Sequence, residues 1–184
     1  MLVQRSGDWR WALAAAYPAL FSQTFQGRII TPRKPEVGNG WRDLVETAVS
    51  RIAAAVAADP IGSASVDQIK GKFGSLRLYY QTRDLQPATA STIGEAVDLA
   101  EARSACTCEE CGAEGRLFND SGWFSTRCDI HRQGKPVRVR PGWERLQVIR
   151  HYDGDAVTVT CRRYDREADR FIEVDPATVY FSEE

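Results

Sequence analysis

Apolar positions change rhythm several times along this chain, and each change marks an element. Trp9, Leu13, Tyr17 and Leu20 recur at helical spacing, which predicts a helix with one face on the core, broken near Pro18. Pro32, Pro35, Gly38 and Gly40 make residues 28–40 a loop. From about residue 41 to 58, Trp41, Leu44, Val45, Ala48, Val49, Ile52, Ala55 and Val56 form one stripe. That is the pattern of an amphipathic helix. Asn39 offers it a cap, and Asp59-Pro60 ends it.

The period then falls to two. Residues 63–69 and 75–81 read as paired strands joined through Lys70-Gly71-Lys72-Phe73-Gly74, with Leu76, Leu78 and Tyr80 alternating against Arg77 and Tyr79. Thr92-Ile93-Gly94-Glu95 has capping-box spacing and predicts the start of a third helix, with Ile93, Val97, Ala100 and Ser104 on one side. Residues 133–145 are basic and carry Pro136 and Pro141, so a linker or irregular edge is expected. Beyond it, residues 146–149, 156–164, 170–174 and 178–181 read as four short strands with turns at 152–155 and 165–169.

Composition narrows the class. The 184 residues are 43% hydrophobic and 27% charged, with a formal charge of -1. These values describe an ordinary globular chain and give no support to whole-protein attraction for a polyanion. No stretch approaches the roughly 20 apolar residues that cross a bilayer. Residues 11–21 are the one signal-like run; acidic Asp8 precedes them and no small-residue cleavage pattern follows Pro18. A helix of the mature protein is expected there, and a cytoplasmic location.

Cysteine placement changes the picture most. Four of the five cysteines lie between Cys106 and Cys128, a clustering that favours a metal over disulfide staples. Cys108-Glu109-Glu110-Cys111-Gly112 and Cys128-Asp129-Ile130-His131 are two tight knuckles flanking a spacer with hairpin content, its turn expected at Asn119-Asp120-Ser121-Gly122. Each knuckle aims two side chains at one point, and Gly112 suits the positive φ common after the second ligand. Cys108, Cys111, Cys128 and His131 are therefore expected to hold one Zn²⁺ in a zinc ribbon. With three thiolates and an imidazole the shell is full, so a structural ion is expected. Cys106 makes a poorer knuckle and reads as a small side chain at a helix end; Cys161 reads as core of the tail sheet.

Gly40-Trp41, Val66 to Tyr80, Thr107 to Gly112 and Gly122 to Cys128 together resemble, in content and order, a family of small, mostly uncharacterised zinc-ribbon proteins. Their genes are common in phages, prophages and bacterial mobile islands. The resemblance covers about residues 16–131. It implies a zinc-ribbon protein from a setting where small proteins inhibit, regulate or protect by binding, and it brings no activity with it.

The fold class expected is α+β: an N-terminal helix and hairpin unit over 1–105, a zinc ribbon over 106–132, a basic linker over 133–145, and a small barrel-like β module over 146–184. The leading functional expectation is a non-enzymatic interaction protein with a protein partner, acting as inhibitor, regulator or immunity or anti-defence factor. A nucleic-acid regulator is the alternative, through the basic stretch that contains Arg127, Arg132, Lys135, Arg138, Arg140 and Trp143. In that alternative Trp123 or Trp143 stacks on bases; Phe73 at a hairpin tip and Trp11, off the stripe of Trp9 and Leu13, are further contact candidates, and by spacing the tryptophans read mostly as core. A hydrolase or nuclease is a second alternative. It would need His151 beside Tyr152 and Asp153, yet strand neighbours point to opposite faces, and no G-x-S-x-G or H-E-x-x-H occurs.

Overall fold

The structure, a computed structural model, describes residues 7–25, 28–30, 33–154 and 156–179. It is a mixed α+β chain with small antiparallel sheets. Helix α1 (Trp9–Ala16) starts on Asp8, whose carboxylate accepts from the Arg10 amide, and α2 (Pro18–Phe21) resumes after the break at Tyr17. Two three-residue strands follow, β1 (Gln23–Phe25) and β2 (Arg28–Ile30), paired antiparallel.

Helix α3 (Arg42–Ala58) ends at Asp59 as expected, but its start differs. A 3₁₀ turn over Asn39–Trp41 precedes it. Asn39 does not cap it: the Asn39 side-chain oxygen accepts instead from Trp9 Nε1 and an Arg10 guanidinium nitrogen, both at 3.1 Å. Long-range partners thus outbid the local cap.

Strands β3 (Ser63–Lys72) and β4 (Ser75–Arg83) are longer than the alternation predicts, and their turn is only Phe73-Gly74. Both turn residues have positive φ, 53° and 79°, which matches the twist of a tight hairpin. A bulge between Val66 and Gln68 shifts the register. Helix α4 (Pro87–Ser104) begins five residues before the expected capping box. Pro87 occupies its first turn, where a missing amide is harmless, and Thr92 merely bonds back to the Ala88 carbonyl.

Asp59 ties these pieces together: its carboxylate accepts from the amides of Gln86 at 2.9 Å and Gly62 at 2.7 Å. The Gln86 amide first, then the Thr89 hydroxyl, hold its pKa down at about 2 against the opposing effect of burial.

The main core lies between α3, α4 and the β3–β4 hairpin, closed by α1 and α2. Trp41, Val45, Val49, Ile52, Val66, Ile69, Leu76 and Ile93 are buried in it. The predicted stripes of both long helices face inward, which is why they are helices here: neither would be stable without that shared apolar face.

The cysteine segment carries β5 (Arg116–Asp120), β6 (Trp123–Arg127) and β7 (Lys135–Pro136) in the order β6-β5-β7. Its turn is just Ser121-Gly122, with φ of 54° and 92°, so the expected four-residue turn shrinks to two. The tail holds β8 (Leu146–Asp153), β9 (Ala156–Asp165) and β10 (Arg170–Val174) as an open antiparallel sheet ordered β10-β9-β8. The fourth expected strand does not form at its start: Pro176–Thr178 is a 3₁₀ turn capped by Asp175. The rest of that span, 180–181, lies outside the described residues. The sheet leans on α4, with Tyr164 buried against Leu99 and Cys106, and Arg162 ion-paired to Glu95 and Asp98.

Candidate metal centre

Helix α4 runs straight into the first knuckle. Thr107 stays on the helix end through its hydroxyl, which donates to the Arg103 carbonyl at 2.7 Å. The chain then folds back: Cys108 N donates to Ala113 O at 2.8 Å, and Gly112 N donates to Cys108 O at 2.9 Å. Gly112 has φ of +79°, the left-handed conformation expected at that position. The second knuckle leaves β6 and closes with His131 N donating to Cys128 O at 3.2 Å. The β5–β6 hairpin between them brings both knuckles to one end.

The four side chains meet there. One donor atom from each of Cys108, Cys111, Cys128 and His131 lies within 4.8 Å of the others. Cys111 and Cys128 sulfurs are 3.7 Å apart; His131 Nδ1 is 3.7 Å from Cys108 Sγ and 3.3 Å from Cys128 Sγ. These are not disulfide distances, which are about 2.0 Å. A tetrahedral ion bonded to sulfur at about 2.3 Å separates its sulfurs by about 3.8 Å. The donor set therefore fits a metal ion, and His131 Nδ1 is the nitrogen that approaches the sulfurs.

The electrostatics agree. Burial works against a Cys108 thiolate, yet the backbone amides of Cys128, Cys111 and Glu110 outweigh it and lower the Cys108 pKa. The His131 amide does the same for Cys128. Cys111 is raised: the Ala113 amide favours its thiolate, but burial and the neighbouring Cys108 and Cys128 sulfurs win. Backbone amides thus favour the thiolate form of two of the three sulfurs, the form that binds a metal ion.

Cys106 does not join the group. Its sulfur turns back toward the Arg103 carbonyl at 3.4 Å, and burial pushes its thiol pKa up. Cys161 is buried in the tail sheet.

A contact that local sequence reasoning missed holds this centre on the main core. The loop before α3 lies directly on the first knuckle. Gly40 N donates to Glu109 O at 2.8 Å, and Gly38 N donates to Glu109 Oε1 at 3.1 Å. A Cβ on Gly40 would sit 2.2 Å from Cys108 O and 2.4 Å from Gly112 N, so only glycine allows the two backbones to touch. Beside it, Trp41 is wholly buried and its indole N–H donates to Thr107 O at 2.7 Å. The G-x-G-W run over 38–41 was the available signal, but nothing in it names the partner. No protein-family model, curated protein or solved structure matches the chain.

The proposed contact residues are dispersed. Arg127 turns inward to Glu109 and Glu110. Arg132, Lys135 and Arg138 are exposed on the segment after the second knuckle. Arg140 lies over the half-buried Trp143 ring, 5.4 Å from its centroid. Arg145 pairs with Glu114. Phe73 is exposed at its hairpin tip.

Trp11 is half-buried, with Lys34 Nζ 5.9 Å from its ring centre, so it is not the exposed anchor expected. Trp123 is, at 77% exposure, although its spacing had suggested core. A tryptophan next to a two-residue turn starts an edge strand and has little to pack on. His151 is exposed on β8, 3.4 Å from the Thr160 hydroxyl. No helix is long and apolar enough to cross a membrane among the described residues.

Proposed function

We propose that Cys108, Cys111, Cys128 and His131 bind one Zn²⁺ in a closed tetrahedral shell, making residues 106–132 a zinc ribbon, and that the protein is a non-enzymatic interaction protein. The observation that carries this reading is the donor set: three sulfurs and one imidazole nitrogen within 4.8 Å of one another. Such a set leaves no coordination position for water or substrate, as catalytic zinc requires. The ion would act by fastening two loops, and the loop at 38–41 transmits that order to the main core.

The partner on this reading is a protein, and the role is inhibition, regulation, or immunity or anti-defence. The resemblance of residues 16–131 to phage and mobile-island proteins supports that setting. Cross-linking of tagged protein in cells tests it. A partner recovered with the zinc-loaded protein and lost with Cys128→Ser is the expected result; recovery unchanged by Cys128→Ser, or zinc-dependent hydrolysis by the purified chain, sinks it.

A nucleic-acid regulator remains the second reading, favoured by Arg132, Lys135 and Arg138, which are exposed and make no ion pair among the described residues. It predicts a salt-dependent mobility shift weakened by Arg138→Ala and Arg140→Ala. It ranks lower because Arg127 and Arg145 of the same stretch are already neutralised by carboxylates.

A further inference from the structure

The two hairpin tips, forty to fifty residues apart in sequence, stand side by side and leave a cleft of about 470 Å³ between them. Gly71, Lys72, Phe73 and Gly74 form one wall; Gly122 to Ser125 form the other; Glu36 and Glu109 lie along the cleft, with the Trp41 edge behind Gly71. The walls are fixed to each other by the Thr126 hydroxyl, which donates to Gly74 O at 2.6 Å. The opening is therefore preformed, and its two aromatics, Phe73 and Trp123, are 68% and 77% exposed.

We infer that this cleft binds an extended peptide segment of a protein partner and takes an arginine or lysine side chain between Phe73, Trp123 and Glu36. The inference rests on the reading of the chain as an interaction protein and specifies where, and with what chemistry, it binds.

Three observations select this occupant. The first is charge. Glu109 is already engaged by Arg127 and the Gly38 amide. Glu36, by contrast, makes no ion pair among the described residues and meets only the Gln68 amide at 3.3 Å. An anionic ligand would face that carboxylate. A purely apolar one would strip its water without replacing it. A cation satisfies it.

The second is the aromatic lining. Ring faces attract cations; Lys72 Nζ already lies 5.3 Å from the Phe73 ring centre, while the exposed Trp123 ring carries no cation among the described residues and is the face left for a ligand's.

The third is the backbone. With a two-residue turn at Ser121-Gly122, the pairs Asp120–Trp123 and Phe118–Ser125 exchange hydrogen bonds, so Phe124 and Thr126 turn their amides and carbonyls to the outer edge of β6. Thr126 O does accept there, from Glu109 N at 3.2 Å. Phe124 N–H and C=O face the same edge with no hydrogen-bond partner among the described residues. One open residue offers an extended peptide a single pair of main-chain hydrogen bonds, which would set its register while the neighbouring pocket takes the side chain.

The test uses the full-length, zinc-loaded, ¹⁵N-labelled protein. Two capped five-residue valine–threonine peptides are titrated, one with arginine at its centre and one with glutamate. The arginine peptide is expected to move the Trp123 indole and Phe124 amide signals saturably, and the glutamate peptide to bind about tenfold more weakly or worse. Trp123→Ala and Glu36→Gln alter exposed side chains, so zinc content and the remaining spectrum should stay unchanged; each is expected to weaken the arginine peptide about three- to tenfold.

Equal affinity for the two peptides, shifts centred away from both hairpin tips, or no saturable shift overturns the inference. A cross-linked protein partner that is lost with Cys128→Ser but retained by Trp123→Ala and Glu36→Gln also overturns it, while leaving the proposed function standing.

Discussion

The main core and the cysteine segment are ordered by different physics. The core over α3, α4 and the β3–β4 hairpin buries a contiguous set of large apolar side chains, among them Ile52, Leu76 and Ile93. In the cysteine segment Phe118 is the one large apolar side chain that is fully buried, beside Cys108 and Thr126, while Trp123 and Ile130 stand in solvent. Burying a large apolar side chain contributes about 1.5–3 kcal/mol, so Phe118 alone cannot offset the ordering entropy of some thirty residues. On the proposed reading a bound zinc supplies the difference, on the order of 10 kcal/mol in small zinc peptides. A chain can thus build one region by volume and another by a single point of charge, and the two should fail separately.

The largest expected effect separates them outright. Chelation of the metal, or Cys128→Ser, should abolish amide-exchange protection over β5 and β6 while the amides of α3 and α4 remain protected; exchange read by mass spectrometry checks it. Loss of protection everywhere at once would mean the two regions are one cooperative unit.

The reverse experiment is Ile93→Ala. A fully buried side chain in the core is expected to lower global stability by about 2–5 kcal/mol in urea denaturation, with metal stoichiometry unchanged.

The joint between the regions comes next. Gly40→Ala forces a methyl group into Cys108 O and Gly112 N, which stand 2.2 and 2.4 Å from an ideal Cβ. Destabilisation of about 1–3 kcal/mol is expected, together with faster metal loss to a chelator. Equal metal off-rates in variant and wild type would show that the loop does not support the knuckle.

The smallest effect belongs to pH. Asp59 has a folded pKa of about 2 against an unfolded value of about 3.9. Its contribution is present above about pH 4 and is lost as pH falls toward 2. The stability difference between wild type and Asp59→Asn should shrink over that window. A constant difference would place the effect in packing rather than in ionisation.

How much of this was legible follows from distance along the chain. The four residues of the candidate metal centre fall within one short segment, and their knuckle spacing predicts that they meet. The helix stripes are equally local, so α3 and α4 emerged with the correct buried faces. What stayed hidden was long-range. Glu109 and Gly38, hydrogen-bonded to each other, are 71 residues apart, and neither carries a mark of the other. Asn39 looked like a cap because its rivals, Trp9 and Arg10, are thirty residues away. Trp123 looked like core because spacing cannot report that an edge strand has nothing beside it. The cleft combines four segments, so no single stretch of sequence shows it.

Zinc-edge X-ray absorption on the protein as purified tests the central proposal most directly. A single zinc per chain, with three sulfur neighbours at about 2.3 Å and one nitrogen near 2.0 Å, is the spectrum expected of a closed shell. Oxygen in the first coordination sphere, or a preparation that holds no zinc, would contradict it.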